Sequence, residues 1–324
     1  MTMQTLCILG GTGFVGQRLV SHLANAGYRL RVITRHRHRH RELLVMPRVT
    51  LIETDGHDAE TLKAQFAGCA AVINLIGRLN GTAAEFRRAH VELPGLVATL
   101  AGQAKVPRLL HMSALGADAE HGPSLYLRSK GEGERAVRAV PELKTTLFRP
   151  SVIFGPDDGL FQRFATLLGL SPILPLACPQ ARIAPVFVDD VVSAFALALD
   201  NPATFGQTLE LCGPRSYTLR ELVTYTAELI GRRTWIVNLP DGLARLQARI
   251  LTYFPGQPFT LDNYRSLQVD SVCHGNGLET LGIVPQSVES VMPAYFAGQL
   301  SRAVRYHDYR LVARHDSQSA SGSH

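Results

Sequence analysis

The chain has 324 residues with 33 basic and 27 acidic side chains, a formal charge of +6, and 46% hydrophobic residues. This length allows one large domain or two modest ones, and the apolar content excludes a disordered chain. Aromatic residues make up 7% and only one is tryptophan, which disfavours base stacking on nucleic acid. We find no apolar run typical of a membrane span and no signal-peptide layout. These features favour a cytoplasmic globular protein without a nucleic-acid partner.

The five cysteines are scattered along the chain and form no CxxC pair: Cys7, Cys69, Cys178, Cys212 and Cys273. This spacing excludes a disulfide-rich scaffold and a cysteine-rich zinc site, and it suits a reducing compartment. We therefore predict no metal site.

The first predicted element is a strand over 4–9 that runs directly into Gly10, Gly11, Gly13 and Gly16. Apolar residues then recur at helical spacing as far as Gly27. In a strand, glycine turn and helix of this kind, the glycines permit the tight bend and the close approach of a pyrophosphate. The helix N-terminus turns its free N–H groups towards the phosphates. The pattern predicts a dinucleotide site rather than a purely structural turn.

The second predicted strand, over 30–34, ends at Arg35. An NAD site usually has an acid here for the ribose 2′-OH, but the first 41 residues contain seven arginines and no acid. A guanidinium suits a 2′-phosphate, so we predict NADP(H) rather than NAD(H), with Arg35 as the main contact. Arg37, Arg39 and Arg41 follow within an alternating His-Arg run. For the run as a whole the alternative is a solvated basic surface, and its cations disfavour a metal.

Strands and helices continue to alternate through the first half of the chain. Further strands are predicted at Val49–Glu53, Ala70–Leu75 and Arg108–Met112, with a long helix over Phe86–Ala104. Such βαβ units predict an α/β fold of the Rossmann type, a doubly wound parallel sheet with helices on both faces. Ligands bind beyond the carboxyl ends of such strands. Asp55, Gly77 and Ser113 all fall at these ends.

A catalytic candidate follows the fifth strand. Tyr126 comes thirteen positions after Ser113 and four before Lys130, so Tyr126 and Lys130 share one helix face. A nearby ammonium lowers the pKa of a phenol, which would let Tyr126 exchange a proton with a substrate oxygen. Ser113 could hydrogen-bond the same oxygen. In isolation this spacing more often means an exposed tyrosine beside a solvated lysine, but its position in a dinucleotide domain favours catalysis.

Together these motifs resemble the short-chain dehydrogenase/reductase superfamily. The segments LFRPSVIFGP and PVFVDDV resemble its extended and atypical branches, which include sugar-nucleotide epimerases and dehydratases. With HMSALGAD and SLYLRSKGEGE, they are most similar to the group around the nucleotide-binding accessory subunit (alpha subcomplex subunit nine) of respiratory complex I and its bacterial relatives. The resemblance runs from residue 3 to about residue 290.

The resemblance implies an NAD(P)-binding Rossmann domain over 1–160 with return segments near 183–200, and a smaller C-terminal substrate domain mostly over 161–300. We expect the tail, 301–324, to be flexible. The resemblance gives the catalytic positions to Ser113, Tyr126 and Lys130, places Asp55 near the adenine, and has Lys130 also hold the nicotinamide ribose. The full set of expected cofactor contacts is Gly10, Thr12, Gly13, Phe14, Val15, Gly16, Arg35, Asp55, Leu75, Ile76, Gly77, Lys130, Pro150 and Val152.

The second half of the chain suggests the kind of substrate. The segment Phe164–Phe187 has four prolines and a single charge, Arg182. A sugar-nucleotide pocket needs cations and polar groups, so this segment fits an apolar substrate better; the alternative is a buried segment between domains. Asp189 and Asp190 could be read as paired carboxylates or metal ligands, but we expect them to cap a helix.

Two helices are predicted further on. One covers Leu219–Ile230, and the other carries an apolar stripe flanked by two arginines. The stripe is typical of an ordinary core-facing helix, although it could also lie on a membrane surface or close over the substrate. Its members are Leu243, Leu246, Ile250, Leu251 and Phe254, with Arg245 and Arg249 beside them.

The intact Ser-Tyr-Lys set favours an NADP(H)-dependent oxidoreductase acting on an apolar carbonyl, alkene or quinone-like compound. A non-catalytic alternative is an NADPH-binding assembly or stabilising factor of a membrane-associated respiratory or quinone-biosynthesis complex, peripheral on the inner face of the membrane. A third hypothesis is a sugar-nucleotide epimerase or dehydratase. A shared fold does not decide among these reactions.

Overall fold

The computed structural model describes residues 3–254 and 256–297, so the tail predicted to be flexible (301–324) lies outside the described residues. The strands are β1 (Thr5–Leu9), β2 (Arg29–Thr34), β3 (Val49–Glu53), β4 (Ala71–Asn74), β5 (Arg108–Met112), β6 (Lys144–Pro150), β7 (Ile153–Phe154), β8 (Ile173–Leu176), β9 (Arg182–Ile183), β10 (Val186–Phe187), β11 (Thr208–Leu211), β12 (Tyr217–Thr218) and β13 (Trp235–Asn238).

Most of the helices lie between these strands, and the last three follow β13. They are α1 (Phe14–Asn25), α2 (Arg41–Leu44), α3 (Ala59–Phe66), α4 (Ala83–Arg87), α5 (Leu93–Gln103), α6 (Leu125–Arg138), α7 (Leu160–Leu170), α8 (Val188–Ala198), α9 (Leu219–Leu229), α10 (Asp241–Thr252), α11 (Leu261–Ser266) and α12 (Gly277–Thr280). Within residues 3–254 and 256–297, no helix has both the length and the apolar composition needed to cross a bilayer.

Seven parallel strands form the main sheet in the order β11-β6-β5-β4-β1-β2-β3. The strand order reverses at β1, because the chain goes from β1 outwards to β3 and then crosses back to β4. In open α/β sheets, ligands bind at this switch point, outside the carboxyl ends of the strands. In register, Leu9 at the end of β1 lies beside Ile33 on one side and Asn74 on the other. The Rossmann-type prediction is confirmed.

Two apolar clusters bury the two faces of this sheet. Alternate side chains of a strand point to opposite faces, so Leu6 and Ile8 enter the cluster beneath α1 and α8, whereas Cys7 and Leu9 enter the cluster beneath α3 and α5. All four side chains are at most 1% exposed. This burial on both faces explains why β1 is a continuous apolar run in the sequence.

The chain after β6 builds three small two-stranded pairs, β7–β10, β9–β12 and β8–β13. A third cluster packs α7 and α9 against them, with Phe154, Phe161 and Leu222 fully buried. The helix α8 and the strand β11 instead return to the main sheet. These C-terminal elements therefore stand beside the carboxyl edge of the sheet.

The predicted helix over 86–104 starts earlier, at Ala83, and is interrupted by a π-helical turn at Arg88–Glu92. Pro94 has no N–H to donate to the carbonyl four residues earlier, that of His90, which accounts for the irregular turn. The backbone of α6 packs directly against this turn, since a Cβ on Gly133 would lie 1.8 Å from the His90 oxygen. Close backbone packing thus explains a glycine inside α6.

A disulfide joins Cys212, just after β11, to Cys273. These residues are 61 positions apart, and the pairing was not predicted because their spacing carries no local signal. Disulfides are rare in reducing compartments. The disulfide therefore counts against the reducing compartment that the cysteine spacing suggested.

The two neighbouring aspartates open α8 as expected, but neither caps it. The N-cap residue is Phe187, without a side-chain hydrogen bond. Asp189 pairs with Arg18 at 3.1 Å, and Asp190 accepts a hydrogen bond at 2.8 Å from the Gln286 N–H. The prediction of a cap is wrong because both carboxylates bind tertiary partners, although acids in the first turn still suit the helix dipole.

Candidate functional site

The glycine turn brings two stretches of backbone together so closely that side chains are excluded. A Cβ on Gly16 would lie 2.2 Å from the Gly10 oxygen, and one on Gly11 would lie 2.8 Å from a methyl group of Val32. Gly10 also has a φ of 78°, which glycine adopts without strain. These positions hold the tight bend and pack α1 against β1 and β2.

Gly13 does something different, since a Cβ there would meet only the Gly10 oxygen, at 3.4 Å. It is the exposed N-cap residue of α1 and, as a glycine, has no side chain to occupy the first N–H groups of the helix. The first turn of α1 also has no acid. Free N–H groups without a competing carboxylate suit the phosphates of a dinucleotide.

The other expected contacts of this turn lie around it. Ile76 touches Gly10, and Leu75 donates its N–H to the Leu9 carbonyl at 2.9 Å, so β4 forms one wall. On the opposite side, the Phe14 ring packs near Gly155. The remaining contacts are the half-buried Thr12 and Val15, and the backbone carbonyls of Pro150 and Val152, which accept from Leu115 and Val186.

Arg35 is exposed at the carboxyl end of β2, next to the glycine turn. The sheet also brings an acid there, which the sequence pattern missed: Glu53 ends β3 and lies opposite Thr34 in register. Its carboxylate accepts a hydrogen bond at 3.0 Å from the Arg37 N–H. Only the pairing of β2 with β3 reveals it, because 16 residues separate Arg37 from Glu53.

Asp55 lies just beyond β3 with an exposed carboxylate. It accepts a hydrogen bond from the His57 N–H at 3.0 Å and one from Arg88 at 3.4 Å. The backbone hydrogen bond from His57 is the main reason that the pKa of Asp55 lies below its usual value. The carboxylate stays charged at neutral pH, as an acceptor of hydrogen bonds from an adenine requires.

Two of the three catalytic candidates, Ser113 and Lys130, meet at the carboxyl end of β5, beside the loop after β4. The Lys130 ammonium donates to the Met112 carbonyl at 3.0 Å, directly before Ser113. A Cβ on Gly77 would lie 3.1 Å from the same ammonium. The Ser113 hydroxyl is buried and has no hydrogen-bond partner among the described residues. A buried hydroxyl without a partner is free to bind a substrate oxygen.

Tyr126 lies one turn before Lys130 on α6, with its ring in edge contact with those of Phe86 and His90, which stack on each other. The ring centroids are 6.2 and 5.5 Å away, respectively. Burial raises the pKa of Tyr126 to about 12, and burial lowers the pKa of Lys130 to about 8. The expected lowering of the tyrosine pKa is therefore wrong for this arrangement, because burial raises it.

A buried histidine, which was not predicted from the sequence, connects the loop after β4 to α6. His90 accepts the Arg78 N–H at Nε2, at 3.1 Å, and its Nδ1 lies 2.8 Å from the Ser129 hydroxyl. That hydroxyl donates to the Tyr126 carbonyl at 2.9 Å. Burial lowers the pKa of His90 to about 2, with a further contribution from Lys130. The imidazole is neutral, so Nδ1 carries the proton and donates to Ser129.

The short helix α11, in the C-terminal part of the chain, binds the N-terminus of α6. Both carboxylate oxygens of Asp262 accept backbone hydrogen bonds, from Leu125 at 2.7 Å and from Tyr126 at 3.0 Å. The Ser266 hydroxyl donates to that of Ser124, the N-cap residue of α6, at 2.8 Å. The position of Tyr126 therefore depends on both parts of the molecule.

The same C-terminal segment holds the loop after β4. Asn80 donates to the Gln257 carbonyl at 3.0 Å, and Asn263 donates to the Leu79 carbonyl at 3.4 Å. In the part of the chain that the structure describes, no group of three or more acidic, histidine or cysteine side chains could hold a metal ion. The candidate site thus consists of a dinucleotide turn and a Ser-Tyr-Lys cluster bounded by this loop.

Comparison with known proteins agrees with this geometry. The sequence pattern of the NAD dependent epimerase/dehydratase family matches residues 6–212. The chain belongs to this family. Its members bind NAD(P) on a Rossmann-type domain, so the predicted kind of cofactor site is confirmed at the level of NAD(P), and the resemblance to the short-chain dehydrogenase/reductase superfamily is confirmed.

Two curated relatives are informative. The chain is 30% identical over 293 residues to "NADH dehydrogenase (ubiquinone) 1 alpha subcomplex subunit 9, mitochondrial" of Rattus norvegicus, covering 87% of this chain and 77% of the relative. It is also 30% identical over 244 residues to "Ceramide reductase" of Caulobacter vibrioides, covering 73% and 74%. The resemblance to the complex I accessory subunit is thus confirmed, and the family also contains an oxidoreductase.

Among solved structures, the fold of this family member matches DesIV, a dTDP-glucose 4,6-dehydratase from Streptomyces venezuelae with NAD and TYD bound. The TM-score is 0.72 at 21% identity, covering 91% of this chain and 96% of the other. At this identity the likeness shows the shared fold alone.

Proposed function

We propose that this family member is an NADP(H)-dependent oxidoreductase acting on the carbonyl or alcohol group of an apolar or quinone-like compound. The observation that carries the proposal is the Ser113 hydroxyl, which is buried without a hydrogen-bond partner among the described residues and follows the carbonyl that binds the Lys130 ammonium. A proton donor, an ammonium and a free hydroxyl at one strand end are the groups that carbonyl chemistry needs.

The residues present fit the cofactor. The exposed N-terminus of α1 would receive the pyrophosphate, and Arg35 would bind the 2′-phosphate of NADP(H). Asp55 would face the adenine, and Lys130 would bind the nicotinamide ribose. When bound, the nicotinamide supplies or accepts the hydride.

The chain's own residues would handle the proton and the substrate oxygen. In the reducing direction, the Tyr126 hydroxyl donates its proton to the carbonyl oxygen while hydride adds to the carbon, so the product is an alcohol. Ser113 donates a hydrogen bond to the same oxygen. A pKa of about 12 keeps Tyr126 protonated before the reaction.

Two features support an apolar substrate. The rings of Phe86 and neutral His90 lie against Tyr126, and Leu79 in the loop after β4 is 60% exposed. Such surfaces are suited to hydrocarbon. The relative named ceramide reductase is, by its name, active on a lipid.

The deciding experiment is complementation of a deletion strain with wild type or with Tyr126→Phe, after showing that both proteins bind NADPH equally. The lipid and quinone profile of the strain is the readout. We expect only wild type to restore it, and the compound that accumulates with Tyr126→Phe identifies the substrate. Equal restoration by both proteins would contradict the enzymatic proposal.

That contrary result would support a second function, a non-catalytic NADPH-binding assembly or stabilising factor. The observation in its favour is the 30% identity to a protein named as a complex I subunit. Bound cofactor would then stabilise the fold by mass action rather than undergo turnover. Co-purification of Tyr126→Phe with a respiratory or quinone-biosynthesis complex would distinguish this role.

A further inference from the structure

The helix α10 turns its large apolar side chains to solvent and its small ones inwards. Leu243, Leu246 and Ile250 are 53, 51 and 52% exposed, whereas Ala244 and Ala248 are 1 and 0% exposed. A core-facing helix shows the reverse arrangement, so the expectation that this stripe faces the core is wrong. Three large side chains on one exposed face need a partner to remove them from water.

The apolar surface continues onto the β8–β13 pair. Trp235 lies opposite Ile173, and Val237 lies opposite Pro175; Trp235, Val237 and Ile173 are 76, 49 and 48% exposed. Gln247 on α10 donates to the Pro175 carbonyl at 3.2 Å, which joins the helix to this pair. Further exposed apolar residues are Leu170 at the end of α7, and Tyr253 and Phe254 directly after α10.

Arginines accompany this surface. Residues 230–254 contain four arginines and a single acid, Asp241. Asp241 pairs with Arg245 at 2.8 Å, so three positive charges remain: exposed Arg232, Arg233 and Arg249. On α10, Arg245 and Arg249 are one turn apart and border the apolar stripe. The surface therefore combines exposed hydrocarbon, a tryptophan and net positive charge.

We propose that α10 and the β8–β13 pair dock the protein on the surface of an anionic lipid bilayer, with α10 lying in the plane of the interface. Large apolar side chains enter the acyl region from such a helix while arginines remain at the phosphates, and tryptophan prefers the interface. Charge complementarity favours anionic headgroups. The proposal goes beyond the oxidoreductase function and does not depend on it.

Docking in this way has a consequence for the candidate site. The buried face of α10 packs on Tyr264 of α11, and Asp262 of the same short helix binds the backbone at Tyr126. The surface that meets the bilayer is therefore one helix away from the Ser-Tyr-Lys cluster.

Flotation with lipid vesicles tests the proposal on the full-length protein. Vesicles of phosphatidylcholine alone are compared with vesicles that also contain phosphatidylglycerol. We expect wild type to bind the anionic vesicles at least about tenfold more strongly, as three arginines without an ion pair among the described residues predict. The variant Leu246→Asp/Ile250→Asp, which leaves the buried alanines intact, should lose this binding.

A matched control carries the same substitution at Val45 and Val284, which are 83 and 85% exposed and belong to other elements. This control should float like wild type, and all three proteins should bind NADPH and unfold at similar temperatures. Failure of wild type to bind either vesicle would overturn the proposal. Undiminished binding by Leu246→Asp/Ile250→Asp would also overturn it, because another part of the chain would then hold the lipid. A wild-type dimer that this variant converts to a monomer, without vesicle binding by either, would assign the surface to a second copy.

Discussion

Asp262 accepts a hydrogen bond at 3.0 Å from the backbone N–H of Tyr126, although 136 positions separate the two residues in the sequence. The carboxylate lies at the N-terminus of α6, where it satisfies helix N–H groups and complements the helix dipole. The residue proposed to donate the proton is therefore held by an acid in the C-terminal part of the chain. Loss of this acid should affect the reaction as well as the stability of the protein.

We predict that Asp262→Ala lowers kcat about tenfold or more, because a small displacement of a reacting group is costly. Asp58→Ala is a matched control, since Asp58 caps α3 by accepting the Thr61 N–H at 3.1 Å, away from Tyr126. Each variant should lose about 1 kcal/mol of stability. Steady-state kinetics with thermal unfolding separates the two effects. Equal kcat values for the two variants would argue against a positioning role for Asp262.

We predict that NADPH binds more tightly than NADH and that Arg35→Ala removes most of this preference. One charge-assisted hydrogen-bonding pair contributes about 1.5–3 kcal/mol, or roughly tenfold to a hundredfold in affinity. Arg29→Ala is the control, because Arg29 is also exposed but begins β2 at its opposite end. Fluorescence titration with both cofactors gives the dissociation constants. Equal affinities in wild type would contradict the assignment, and a greater loss of NADH binding in Glu53→Ala would indicate an NAD site.

We predict that the free energy of unfolding falls as the pH drops below about 6.5, the usual pKa of histidine. Burial lowers the pKa of His90 to about 2 and that of His111 to about 3. The unfolded chain therefore binds protons that the folded chain does not, so each histidine costs about 1.4 kcal/mol per pH unit below 6.5. Urea unfolding between pH 7 and 5 should show a smaller slope in His90→Gln. The exposed His121→Gln should behave like wild type, and an unchanged slope in His90→Gln would contradict the prediction.

We predict that reduction of the Cys212–Cys273 disulfide lowers the unfolding temperature. Closing a loop of this length removes entropy from the unfolded chain, worth about 4 kcal/mol in the chain-entropy account. Thermal unfolding with and without reductant measures the effect, and alkylation with mass spectrometry counts the thiols released. Cys178→Ser, at a half-buried free cysteine, should retain the full response to reductant. No effect of reductant on wild type would show that the bond does not contribute to stability.

Local periodicity was sufficient for the main sheet and for the glycine turn. The strand β3 covers Val49–Glu53, as predicted, and α9 ends within one residue of the predicted position. Strands buried on both faces appear as apolar runs, and a glycine turn between a strand and a helix has few alternatives. These features depend on residues that are close together in the sequence.

The other features of the candidate site could not be predicted, because they depend on contacts between residues that are distant in the sequence. Glu53, His90 and Asp262 reach the site through sheet pairing, a π-helical turn and a C-terminal helix, and no local pattern indicates them. The stripe on α10 was identified, but its orientation was not, since periodicity does not tell which face is covered. The pKa of Tyr126 depends on burial, which cannot be read from the i, i+4 spacing.

The π-helical turn at Arg88–Glu92 changes the angular phase of the helix that contains it. An α-helix advances by about 100° per residue, so accommodating one extra residue in a turn rotates everything before it by that angle relative to everything after it. Phe86 can therefore face Tyr126 while the part of the helix after Pro94 keeps its own apolar side on the sheet. The extra residue in this turn, rather than a different type of side chain, determines the direction in which Phe86 points. Deleting Val91 from this turn would rotate Phe86 away from Tyr126 without removing any of the side chains that the site uses.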